Sequence, residues 1–165
     1  MLFLLLSVSI VAVLALFIIA RNTYRLKTDF ARFRKEISQK SGLVFLINKD
    51  FEVKDTNYYQ MNANMAGDGQ PPVLGNVLHC KSGCDSGLCG TGFACQTCPV
   101  RLVIKNSFKN RRDFDSIEAT MELYDASHEV QKVDVTVAGE LVYAYNKPYM
   151  MVSVTSFPIG FQAQV

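Results

Sequence analysis

Residues 117–137 read IEATMELYDASHEVQKVDVTV, and the fold turns on them. Ile117, Ala119, Met121 and Leu123 alternate with Glu118, Thr120 and Glu122. A period of two sends the first set to one side of a pleated strand and the second to the other, so one side is buried and one is wet. Val133, Val135 and Val137 repeat the pattern against Asp134 and Thr136. Gly139 is expected to bend this second strand or to end it before residues 141–145. Asn146-Lys147-Pro148 has turn chemistry, and residues 149–157 (YMMVSVTSF) form a last strand. Three antiparallel strands therefore close the chain. His128 falls in the turn between the first two, with no nucleophile or carboxylate pattern around it.

Working upstream, residues 43–47 (LVFLI) are an apolar run of buried-strand length. Asn48-Lys49-Asp50 is a turn, and Phe51-Glu52-Val53-Lys54 alternates as a second strand, which makes a hairpin. A short helix is expected over 57–65 (NYYQMNANM), capped by Asp55 or Asn57, followed by a loop over 66–72 (AGDGQPP). Residues 75–98 hold all five cysteines and five glycines and are expected to be irregular. Pro99 suits a first helical turn, and Val100, Val103, Ile104 and Phe108 follow on one face until Asn110-Arg111-Arg112-Asp113 breaks the helix. The result is an α+β layout, a five-stranded antiparallel sheet with short helices gathered on one face.

The N-terminal end is different in kind. Residues 2–20 (LFLLLSVSIVAVLALFIIA) carry no charge, and nineteen helical residues span roughly 28 Å, the thickness of a bilayer core. A cleaved signal peptide competes, but no Lys or Arg precedes the run and its exit, Ile18-Ile19-Ala20-Arg21, lacks a small-x-small site. Residues 21–40 hold seven Lys/Arg against Asp29 and Glu36, a local balance of +5. The ten Lys/Arg and thirteen acids elsewhere give −3, so the overall +2 is a basic collar on a mildly acidic domain. Nucleic acid is not an expected partner; anionic lipid headgroups are. Basic residues stay on the cytoplasmic side, which places the N-terminus outside and the domain in the cytoplasm.

Within a basic linker helix over 21–41, Leu26, Phe30, Phe33 and Ile37 are spaced four, three, four. Two readings fit that stripe. It packs on its own domain or on the membrane, or it forms a parallel seam between two subunits, giving a homodimer.

The cysteines run Cys80-x3-Cys84-x4-Cys89-x5-Cys95-x2-Cys98. An odd count in a reducing compartment argues against a closed disulfide framework. Four thiolates from tight, glycine-rich turns are the donor set of structural zinc, and Cys95-x2-Cys98 running into Pro99 is a typical pair. Cys80, Cys89, Cys95 and Cys98 are the expected ligands, with Cys84 or His79 as substitutes. Zinc is favoured; an iron–sulfur cluster takes the same donors, and a thiol–disulfide switch would use Cys95 and Cys98 with no cofactor. Tyr58, Tyr59, Met61, Met65, Met121, Tyr143 and Tyr145 either line a pocket or fill the core. No Ser-His-Asp grouping, phosphate loop or paired acids appear, so no enzyme is expected.

The element order, a hairpin, short helices and a meander of three strands, resembles a PAS sensor domain over residues 42–158. GLVFLINKDFEVKDTNYYQMN at 42–62 is similar to the family's opening, and VLGNVLHC at 73–80 to the stretch after its first helices. CQTCPVRLVIKNSF at 95–108 resembles a cysteine-bearing bacterial subgroup, whose pattern falls here on Cys80, Cys89-Gly90, Cys95 and Cys98, with Cys84 extra. The resemblance implies a sensory or dimerisation module in signal transduction. Only residues 158–165 follow the last strand (159–165 as a tail), with no kinase region. The output is therefore expected on a separate kinase or regulator. The alternatives are a fragment of a sensor histidine kinase, or a membrane-anchored thiol redox or metal-binding protein with no signalling output.

Overall fold

The computed structural model describes residues 2–58, 72–125 and 127–156, with side chains from Ile10 onward. One uninterrupted helix, α1, runs from Leu2 to Gln39, so the apolar run and the basic linker are a single rod. Its 38 residues are roughly 57 Å long at the usual helical rise. Among the described residues no helix is long and apolar enough to cross a membrane. The charge-free run begins at Leu2, eight residues before the first described side chain.

Five strands follow: β1 (Leu43–Ile47), β2 (Val53–Thr56), β3 (Phe114–Tyr124), β4 (Val130–Ala144) and β5 (Lys147–Thr155). They form one sheet in the order β2-β1-β5-β4-β3, every pair antiparallel. The β1–β2 turn is held by Asn48, whose Oδ1 accepts the backbone N–H groups of Asp50 and Glu52, both at 3.0 Å. The β4–β5 turn has both central residues, Tyr145 (φ 45) and Asn146 (φ 61), left-handed, as a two-residue hairpin requires.

Between β2 and β3 lie α2 (Leu74–Val77), α3 (Lys81–Asp85), a 3-10 turn (Phe93–Gln96) and α4 (Pro99–Asn110). The cysteine region is thus a chain of short helical turns rather than irregular. Turns of four or five residues are too brief to leave a hydrophobic period, which is why the sequence did not reveal them. The helix expected over 57–65 and the tail at 159–165 fall outside the described residues, apart from Asn57 and Tyr58, which are not helical.

The strand expected to bend or stop at Gly139 does not stop there, and the β3–β4 register shifts opposite it, between Phe114 and Ile117. β4 runs through it, and Gly139 faces Phe114 across the β3–β4 pair. A Cβ at 139 would overlap the Phe114 ring, so the glycine is a socket for an aromatic side chain on the next strand.

Every residue of β1 is buried, because both sides of the central sheet are covered. Leu43, Phe45 and Ile47 join Val135, Val137, Met150, Val152, Val100 and Ile104 on the side of α4. Val44 and Leu46 join Met151 and Ala144 on the other, under Phe33 and Ile37 of α1. The short helices therefore gather on one face, as expected, and α1 covers the other. The stripe Leu26, Phe30, Phe33, Ile37 is spent on the domain's own sheet: Phe33 and Ile37 are each 1% exposed, so a subunit seam through them is absent from this arrangement. Charged contacts fix the rod at its edges. Arg34 pairs with Asp55 at 3.0 Å, Lys40 with Glu140 at 2.9 Å, and the Asp29 carboxylate accepts the Tyr145 N–H at 3.0 Å.

Candidate functional site

On the α4 side the core does not close. A cavity of about 410 Å³ opens between the sheet and the cysteine-bearing turns. Cys80, Cys89, Cys95 and Cys98 all line it, whereas Cys84 and His79 do not. Its apolar wall includes Phe51, Leu74, Leu78, Val100 and Ile104, and Met121, Glu122 and Lys132 border it from β3 and β4.

Each cysteine is placed by a different local device. Cys80 pairs with Leu123 in an isolated antiparallel bridge, and the Tyr124 N–H donates to the His79 carbonyl at 2.9 Å. That stitches the start of α3 to the edge of β3. A second tie is Tyr124, whose hydroxyl donates to Asp85 at 2.6 Å while Lys81 donates to the other carboxylate oxygen at 2.8 Å. Cys89 is set by Asn76: its side-chain oxygen accepts the Cys89 N–H at 2.7 Å and its amide donates to the Gly87 carbonyl at 3.0 Å. Cys95 sits on the 3-10 turn and is buried. Cys98 is the N-cap of α4, with Pro99 in the first turn and the Leu102 N–H reaching the Cys98 carbonyl at 2.9 Å.

Two glycines make room for Cys89. A Cβ on Gly75 would overlap the Cys89 sulfur, and one on Gly83 would come within 3.3 Å of the Cys89 Cβ. Beside it, the Arg101 guanidinium stacks over the Phe51 ring at 4.1 Å. It donates to the Cys89 carbonyl at 3.5 Å and approaches the Cys89 sulfur at 3.9 Å. Backbone N–H groups also point at sulfur: those of Gly83 and Ser82 at Cys80, and that of Gly75 at Cys89.

Burial pushes the Cys89 thiol up to about 11, aided by the nearby Cys95 sulfur and opposed by Arg101. Burial also raises Cys80, with Cys98 and Cys95 adding to it against the Gly83 and Ser82 N–H groups, and burial raises Cys84. These thiols therefore hold their protons at neutral pH until something that binds sulfur displaces them.

The sequence-expected ligand set is thus gathered around one space, but not drawn to one point. Among the described residues no three or more His, Cys, Asp or Glu side chains stand close enough to hold a single metal ion. His79 is exposed and left-handed (φ 54), a turn residue rather than a spare ligand. His128 is likewise a turn residue (φ 59), with its ring edge-on to Tyr124. Of the suggested pocket residues that are described, only Met121 lines the cavity. Tyr58 packs against the core edge, Tyr143 and Tyr145 are exposed, and Tyr59, Met61 and Met65 lie outside the described residues. Sequence reasoning missed Asn76, Gly75 and Arg101. The only trace they leave is a Gly-Asn pair four residues before Cys80 and an arginine one turn into α4.

No family model matches this chain, and no curated protein does. Among solved structures it is similar to a PAS domain from Desulfitobacterium hafniense, at TM-score 0.41 and 8% identity over 73% of this chain and 96% of that one. It is also similar to the PAS domain of an HTR-like protein from Haloarcula marismortui, at TM-score 0.38 and 8% identity over 84% and 99%.

Proposed function

We propose that this chain is a membrane-anchored, PAS-like sensory module whose input is a thiophilic metal centre in the cysteine-lined cavity. The observation that carries the reading is the meeting of Cys80, Cys89 and the Cys95–Cys98 pair at one cavity on the sheet. The donor set fits such a centre: four sulfurs, three N–H groups aimed at two of them, and a stacked guanidinium to offset negative charge. A dry wall of Phe51, Leu74 and Ile104 would shield it from water.

Two further features support anchoring and output. From Ile10 to Ile19, eight large apolar side chains on all sides of α1 are each more than half exposed. Lipid is the surrounding that would bury such a rod, and Arg21, Arg25 and Lys27 would meet anionic headgroups at the cytoplasmic surface. The lower part of the same rod clamps the opposite side of β1, so the helix from the bilayer and the cavity share one strand. Strain at the cavity would reach α1 through Phe45 and its neighbours Val44 and Leu46, and from there a separate kinase or regulator.

The test is amide hydrogen exchange on the full chain in vesicles of mixed neutral and anionic phospholipid, with and without metal. The chain is expected to float with the vesicles. Loading should slow exchange over residues 74–101 and also alter it over 29–39, across the sheet. A chain left in the aqueous fraction would remove the anchor. A response confined to 74–101 would leave a metal-binding protein and remove the sensor.

A further inference from the structure

We infer that the cavity is shaped for a four-iron, four-sulfide cluster rather than for one metal ion; this rests on the metal-centre reading above. Zinc holds its sulfurs at about 2.3 Å, so the four stand within about 4 Å of one another. Here no three donors gather so closely, although Cys80, Cys89, Cys95 and Cys98 face the same space of about 410 Å³. A body wider than an ion is what sulfurs spread round a cavity can all reach at once.

The backbone sets each cysteine by its own device. Cys80 is tied to β3 through Leu123, Cys89 to α2 through Asn76, Cys95 rides the 3-10 turn, and Cys98 begins α4. Cys80 and Cys89 come from separate segments, Cys95 and Cys98 from adjoining turns, and all four border one cavity, which suits one thiolate per iron at the corners of a cube. N–H groups directed at cysteinyl sulfur and a neighbouring guanidinium are the surroundings that stabilise a cluster with net negative charge. Cys84, beyond the cavity, takes no part. The cluster enters by thiolate exchange: four cysteine protons go to buffer and the oxidation state of iron is unchanged.

The experiment is anaerobic reconstitution of the full chain in detergent. It uses equal ferrous and ferric iron with matching sulfide, so that the cluster assembles without an added oxidant or reductant. A parallel arm uses zinc alone. Expected are about four irons and four acid-labile sulfides per chain, with broad visible absorption. Cys80→Ser, Cys89→Ser, Cys95→Ser and Cys98→Ser should each cut iron several-fold, and Cys84→Ser should leave it unchanged. Circular dichroism of each metal-free variant checks folding, and a folded Cys98→Ser chain that still takes up four irons would count against the assignment. One zinc per chain that blocks iron and sulfide uptake would overturn the cluster and leave the metal pocket standing. Two irons with two sulfides would overturn the four-iron form. Uptake in neither arm would remove both the cluster and the metal reading.

Discussion

The two sides of the sheet are put to opposite uses. Under α1, Phe30, Phe33, Ile37, Val44, Leu46 and Met151 pack into a closed layer, with Phe30 edge-on to Phe33 and to Tyr149. Under α4 the layer is interrupted by a cavity, and its apolar wall is shared with four cysteines, the Arg101 guanidinium and Gly75. Strand β1 serves both, sending Val44 and Leu46 one way and Leu43, Phe45 and Ile47 the other. One side spends its apolar surface on holding the rod, and the other keeps a cavity of about 410 Å³. A mutation on the first should cost stability, and one on the second should cost occupancy.

The largest effect should come from opening the closed layer. Phe33→Ala removes a fully buried ring and should lower unfolding free energy by roughly 3 to 5 kcal/mol in a denaturant titration, with metal content per folded chain unchanged. Equal loss of metal would mean the two sides are not separable in this way. Next is the socket on β4. Gly139→Ala should cost about 1 to 3 kcal/mol by forcing the Phe114 ring aside, and Phe114→Ala in the same chain should return part of that. Additive costs in the double variant would contradict the socket.

A smaller effect separates the sides by pH. A folded Cys89 that ionises near 11, against about 9 in an open chain, holds its proton more tightly when folded. Its contribution to stability is full below about pH 9 and disappears as pH rises toward 11. Cys80 and Cys84 move the same way, with Arg101 the cation facing Cys89. Metal-free protein should therefore lose stability across that window, and Cys89→Ala should flatten the curve. The smallest effect is at the rim of the closed layer: Arg34→Ala breaks the exposed pair with Asp55 and should cost under about 1 kcal/mol in the same titration.

The strands were readable where side chains alternate or run apolar: 43–47 is β1 as expected, and 117–123 and 133–137 are the centres of β3 and β4. β2 was placed two residues early because Phe51 mimics a strand position while standing left-handed in the turn (φ 66). Gly139 was misread because its reason is Phe114, a partner that chain-local pattern cannot identify. The stripe at 26–37 was visible, but an a/d spacing does not say whether the apolar surface it meets belongs to the same chain. For the site, spacing singled out Cys95 and Cys98, the resemblance added Cys80 and Cys89, and all four line the cavity. How each is held was not legible, since Asn76 sets Cys89 and the Leu123 bridge sets Cys80.

The most direct test is to see which sulfurs a bound centre covers. The full chain, anaerobically loaded with iron and sulfide and then exposed to a thiol-alkylating reagent, should be labelled at Cys84 alone. The same chain stripped of metal and unfolded in denaturant should be labelled at all five cysteines. Labelling read by peptide mass spectrometry that finds Cys84 protected, or any of Cys80, Cys89, Cys95 and Cys98 as reactive as Cys84 after loading, would contradict the account.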